Sequence, residues 1–198
     1  MKRILCALLI SATGAFASAA DDDNVQTVTA KMMDVYDCFI NSSESENHQV
    51  LSHFQELGKK YLASCGKDVA HVDESSLYAE IDNISDLNNG ANVRKSTKAI
   101  FDSLLCISKA ANFNESALER TYLKVGELAS VKYSRPQVEY GSLFYMKMMG
   151  ILAILAEQSG EMTKEDAKEL TEKAFAKGFE GARAHNARKF SVLPVNST

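Results

Sequence analysis

The 198-residue chain has two prolines and no tryptophan. So little proline excludes Pro-rich recognition segments and extended linkers, and it leaves room for long uninterrupted helices. No segment keeps an apolar and polar alternation of period two, which argues against half-buried strands. Low-complexity tracts and internal repeats are missing as well, so repeat arrays have no support. The catalytic signatures are equally scarce. There is no G-x-S-x-G elbow, no H-E-x-x-H, no C-x-x-C and no glycine loop that could cradle a phosphate. Carboxylates are numerous, but almost all fall on polar helix faces, where solvation is the default.

What is present begins at the N-terminus. Lys2 and Arg3 form a positive start, Ile4 to Phe16 an apolar stretch, and Ala17-Ser18-Ala19 an A-x-A cleavage site. The stretch is too short to span a bilayer and Asp21-Asp22-Asp23 follows at once, so cleavage after Ala19 or Ala20 is expected rather than anchoring. Cys6 lies inside the apolar stretch, far upstream of the cleavage site, and does not suggest a lipoprotein. Losing Lys2 and Arg3 from 22 basic residues leaves 20 against 26 acidic ones, a net charge of −6. That balance argues against nucleic acid or an anionic membrane as the main partner, since both need a concentrated positive surface.

The remainder is the size of one domain and can bury a core without staples. Apolar residues recur at three- and four-residue intervals throughout, so the expected fold class is all-α: a single-domain helical bundle of about six or seven helices after signal-peptide removal. Residues 1–19 read as the signal peptide, 20–190 as the helical domain and 191–198 as a disordered tail.

The first helix is expected over 22–40, with Val25, Val28, Met32, Val35, Tyr36 and Phe39 on one face, followed by a polar turn from Ser42 to Glu46. A second, over 47–65, buries Val50, Phe54, Leu57, Tyr61 and Cys65 and ends at Gly66. A third, over 74–87, carries Leu77, Ile81 and Ile84 and stops at Asn88-Asn89-Gly90. The fourth, over 92–111, shows Val93, Ile100, Leu104 and Ile107, widened by Phe101 and Leu105. Asn114 can cap a fifth, with Leu118, Tyr122, Val125 and Leu128 inward. Pro136 suits the first turn of a sixth, over 136–158, which is apolar nearly all round from Leu143 to Ala156 and reads as the central, buried helix. Gly160 closes it. Thr163 with Asp166 opens a last helix to about Lys189, along which Ala167, Ala174, Gly178 and Gly181 would let another backbone approach closely.

Three cysteines survive cleavage, which allows one intramolecular disulfide in an oxidising compartment. Helices two and four descend together in an up-and-down bundle, so Cys65 with Cys106 is the expected pair and Cys38 the odd thiol. A crossing third helix would instead place Cys38 beside Cys106. Met146, Met148 and Met149 with Met32 and Met33 invite a cuprous site, but core filling explains them better. His48 and His53 diverge around a helix, while His71 and His185 stand alone. Asp86 to Gly90 lacks the glycine register and closing glutamate of a calcium loop. No metal, cofactor or catalytic residue is therefore assigned.

Arg183, His185, Arg188 and Lys189 form an acid-free stretch that could bind an acidic partner, or simply complement a helix C-terminus. Asn41, Asn83, Asn114 and Asn196 begin N-x-S/T triplets, which matter only in a eukaryotic host; the signal is compatible with a bacterial one. The function expected is a non-enzymatic exported module, periplasmic or extracellular, that binds another exported protein. It could act as an envelope adaptor or neutralise a toxin or hydrolase. The alternatives are a carrier for a small apolar ligand, suggested by the methionine-rich helix, and a secreted enzyme with a dispersed acidic site.

Overall fold

A computed structural model describes residues 19–61, 73–85, 90–110, 113–160, 163–166, 168–169, 172–173 and 176. Among the described residues six helices can be bounded: α1 (Ala19–Asn41), α2 (Glu44–Tyr61), α3 (Glu74–Asp82), α4 (Gly90–Lys109), α5 (Glu115–Lys132) and α6 (Arg135–Gln158). No strand occurs among the described residues, and the all-α bundle is the observed architecture.

The apolar period builds the core as expected in α1 and α4. Val25, Val28, Met32, Val35, Tyr36 and Phe39 are all buried, as are Val93, Ile100, Phe101, Leu104, Leu105 and Ile107. The centre of the bundle, however, is α1 and not the sixth helix. α1 packs against α4, α5 and α6 together, whereas α2 packs on α4 and α6, and α3 leans on α4 and is tied to α2 through Glu80 with Lys60 and Tyr61. Met33 and Thr29 widen the covered face of α1, and buried Thr29 hides its polarity by donating from Oγ1 to the Val25 carbonyl at 2.6 Å. α6 is apolar on all sides but covered on one. Phe144, Met148, Leu152 and Leu155 are buried, while Leu143 is 42 % exposed, Met146 37 % and Ile154 45 %.

Several boundaries differ from the sequence reading for identifiable reasons. The segment from Ser42 to Glu46 is a helix start rather than a turn. Ser43 N–H donates to Glu46 Oε2 at 2.6 Å, and Ser43 Oγ accepts from Glu46 N–H at 3.3 Å. That reciprocal pair is a capping box, and it moves the beginning of α2 up to Glu44. α3 ends at Asp82 with Asn83 as its C-cap, and Gly90 opens α4 instead of merely stopping its predecessor. Leu128, expected inside, is 46 % exposed. Asn114 caps α5 as expected, its Oδ1 accepting from Ala117 N–H at 2.9 Å. Gly160 closes α6 with φ of 70°, and Thr163 Oγ1 accepts from Asp166 N–H at 3.1 Å to open the next helix. The ends assigned to Gly66 and Asn88-Asn89, the last helix beyond residue 176, the signal peptide before residue 19 and the tail 191–198 lie outside the described residues.

At Gly141 α6 lies close against α1. A Cβ there would lie 2.9 Å from Ile40 Cγ1 and 2.9 Å from the Tyr36 ring. The ring cannot swing aside freely, because the Tyr36 hydroxyl donates to the Val138 carbonyl at 2.6 Å and lies 2.7 Å from Ser142 Oγ. Gly141→Ala should therefore lose about 1–3 kcal/mol to overpacking, offset by about 1 kcal/mol of helix propensity. The expected net result is destabilisation in a urea titration. A stabilised Gly141→Ala protein would show that the α1–α6 contact is looser than described.

Candidate functional site

Two surfaces compete for a functional role. The first is an open polar groove of about 490 Å³ between the C-terminal half of α1 and the N-terminal half of α4. Its floor and rims include Asp34, Asp37, Cys38, Lys95, Lys98 and Asp102. These residues are brought together because α1 and α4 run antiparallel. Cys38 lies beside Lys95 and Ser96, and Lys31, two turns earlier on α1, lies near Cys106, farther along α4.

The groove's carboxylates are already engaged. Asp37 accepts from Lys132 Nζ and from the Tyr133 hydroxyl. Asp102 accepts from Lys98 Nζ at 2.9 Å and from the Tyr78 hydroxyl at 2.6 Å, with the Lys98 ammonium 4.4 Å from the centre of the Tyr78 ring. Glu80 with Lys60 and Tyr61 repeats the arrangement elsewhere, the lysine again over the ring. Each unit satisfies a carboxylate with an ammonium and a phenol while the ring shelters the cation. Burial, reinforced by the Asp102 carboxylate, holds Tyr78 well above the usual phenol range. The Tyr133 phenol is raised by burial and by Asp37.

Cys38 is a half-buried free thiol on the lining of this groove. Burial pushes its thiol up, which outweighs the Ser96 hydrogen bond and nearby Lys95. The groove's carboxylates thus tie α1 to the end of α5 and α4 to α3. Among the described residues no group of three or more His, Cys, Asp or Glu side chains is placed to hold a metal ion.

A buried polar knot tightens the same end of the bundle. Asn47 is fully buried, and its Nδ2 donates to the Phe39 carbonyl at 2.8 Å and to the Tyr140 hydroxyl at 3.1 Å. Asn92 Nδ2 donates to Glu46 Oε1 at 3.0 Å, and the Tyr140 hydroxyl donates to the Ser42 carbonyl at 3.3 Å. The α1–α2 turn is thereby tied to the starts of both α4 and α6.

The second surface is the outer side of α6. Leu143, Met146, Gly150 and Ile154 recur at helical spacing on one stripe, flanked by exposed Glu139 and Glu157. A Cβ added at Gly150 would meet nothing within 4 Å. On neighbouring α5, Leu128 and Val131 are 46 % and 63 % exposed. By length and composition α6 would suffice to cross a membrane, but its other side is seated on the bundle.

The cysteine expectations resolve only in part. Cys38 and Cys106 are free, half-buried thiols, so the structure does not form the expected Cys65–Cys106 disulfide, and Cys65 itself lies outside the described residues. Cys38 does not meet Cys106 either. It stands level with Ser96, and the ten residues of helix from there to Cys106 cover about 15 Å, against the roughly 7 Å a disulfide allows. Arg183, His185, Arg188 and Lys189 lie outside the described residues as well. The α6 stripe was missed as a surface because a helix apolar all round reads as buried; its one legible signal was Gly150 between large apolar neighbours.

Compared with protein-family models, curated proteins and solved structures, the chain shows no match to any of them.

Proposed function

We propose that this chain is a non-enzymatic exported module that binds another exported protein, and that the outer face of α6 is the surface it uses. The observation that carries the reading is the exposed stripe of Leu143, Met146 and Ile154 around an open Gly150. Burying a large aliphatic side chain contributes about 1.5–3 kcal/mol, so three such side chains can anchor an amphipathic helix of a partner. The engaged carboxylates of the α1–α4 groove support a non-catalytic role. Met148 and Met149 are packed into the core, which favours a solid bundle over a carrier for an apolar ligand.

Export rests on the charged, apolar and A-x-A sequence of the first nineteen residues, with periplasmic or extracellular delivery. A Cys65–Cys106 bond formed after export belongs to the same proposal. Affinity capture of the mature protein from its own envelope or culture fluid, with mass spectrometry of bait and partner, tests all three points.

Ile154→Lys should weaken capture of the partner by about 30-fold, the equivalent of a 2 kcal/mol hot spot, while leaving the melting temperature unchanged because the side chain is half exposed. Undiminished capture would remove the α6 face from the binding surface, and exported material that retains residues 1–19 would refute processing.

A further inference from the structure

We propose that Asn83 carries an N-linked oligosaccharide in the exported protein. This rests on the reading of the chain as exported. Eleven asparagines and 28 serines and threonines among 198 residues would form about one or two N-x-S/T triplets by chance, whereas the chain has four. Asn196 lies outside the described residues. The other three stand at helix ends, where asparagine is also favoured as a cap, so what each side chain does there decides between the two uses.

Asn114 is used by the fold, because its Oδ1 accepts from Ala117 N–H at 2.9 Å and caps α5. Asn41 is used as well. Its Nδ2 donates to the Asp37 carbonyl at 2.7 Å, and Ser43, the hydroxyl residue of that triplet, is committed to the capping box of α2. Asn83 ends α3 through its backbone, its N–H donating to the Ala79 carbonyl at 3.1 Å, while its carboxamide makes no hydrogen bond among the described residues. Capping therefore does not account for this side chain. Ile84, the middle residue of the triplet, fixes its presentation: it is buried in the core and its carbonyl accepts from Arg94 Nη1 at 2.8 Å, whereas Asn83 and Ser85 on either side of it are exposed. The carboxamide and the hydroxyl residue thus stand on the solvent side of an anchored turn, where a bulky, hydrated glycan fits without displacing the core.

The co-substrate is a lipid-linked oligosaccharide diphosphate, used by a transferase of a eukaryotic secretory route. The Asn83 amide nitrogen bonds to the anomeric carbon of the first sugar, and the anomeric C–O bond to the diphosphate breaks. The nitrogen gives up one proton to a base of the transferase, and the lipid diphosphate departs. This position is compatible with partner binding on α6. α3 packs on α4, and neither α5 nor α6 contains an asparagine, so the stripe of Leu143, Met146 and Ile154 carries no attachment point.

Mass spectrometry of the full-length protein exported by its own source tests the site, with peptide N-glycosidase as the reagent, since that enzyme leaves aspartate wherever a glycan was attached. The peptide containing residue 83 should appear with aspartate there only after the enzyme, and the intact exported protein should exceed the mass of its processed chain by that of the attached sugar. Asn83→Gln, made in the same source, should remove one glycan from the intact mass and leave the melting temperature unchanged, because the side chain is exposed. Ser85→Ala keeps the asparagine and should remove the same glycan, which separates transfer at the triplet from spontaneous hydrolysis of the amide. An unmodified residue-83 peptide in exported material, or a glycan mass that neither variant changes, would overturn the proposal and leave export standing. Cell-retained protein that still holds residues 1–19 and carries no sugar would overturn both.

Discussion

Phe144→Ala is expected to cost about 3–5 kcal/mol in equilibrium denaturation, the range for deleting a buried aromatic side chain. The ring is fully buried on the inner side of α6 and gathers two other helices around it. Phe39 of α1 lies 6.0 Å away between ring centres, and His48 of α2 meets it edge-on at 5.5 Å. Tyr140, one turn earlier on α6, lies 5.1 Å away, and the Lys147 ammonium sits 4.6 Å from the ring centre. Truncation would leave a cavity bordered by α1, α2 and α6. Leu143→Ala, one residue earlier but 42 % exposed, should lie within about 0.5 kcal/mol of the parent. Similar losses at both positions would mean that α6 is rotated from the orientation described; a loss below about 1 kcal/mol at Phe144 would mean that it is not seated on α1 and α2.

That contrast between adjacent residues explains which parts of the fold were legible in the sequence. Where a helix is amphipathic its buried face can be read directly, as in α1 and α4, and local chemistry marks ends well, as at Asn114 and Gly160. Hydropathy cannot rank helices by centrality. α1 carries Thr29 within its covered face and looks ordinary, while α6 looks central because its uncovered side is apolar too. Ser43-x-x-Glu46 was a legible capping box hidden within a polar run.

The α1–α4 groove was not legible, because it depends on partners distant in the chain. Asp37 meets Lys132 and Tyr133, and Asp102 meets Tyr78, pairings that only the helix arrangement creates. The Lys60-Tyr61 and Lys132-Tyr133 dipeptides at helix ends were a signal for two of the three carboxylate units, but nothing local names the carboxylate each would find.

Alkaline unfolding should be unusually steep, because Tyr122 and Tyr145 are both buried against each other and raised above the usual phenol range, chiefly by desolvation. Their rings stand edge to face with centres 6.0 Å apart, and the Tyr122 hydroxyl donates to Met149 Sδ at 3.0 Å, with no cation among these contacts to stabilise a phenolate. The unfolded chain releases these protons near pH 10, whereas the folded chain retains them. The stability contribution of such a group is complete below pH 10 and falls as pH rises, by about 1.4 kcal/mol per pH unit for each tyrosine until its folded pKa is reached. The pair together should therefore remove about 2.7 kcal/mol per pH unit above pH 10, against a total stability of about 5–15 kcal/mol. Tyr36 and Tyr78, also raised by burial, add to the same trend. Circular dichroism recorded with tyrosinate absorbance between about pH 8 and pH 12 should show helix loss and the buried tyrosines' ionisation in one cooperative step. Tyr145→Phe should move that step to higher pH by removing one of the two groups. Gradual ionisation centred near pH 10 with the helices intact would mean that water reaches this pair and that the α5–α6 contact opens in solution.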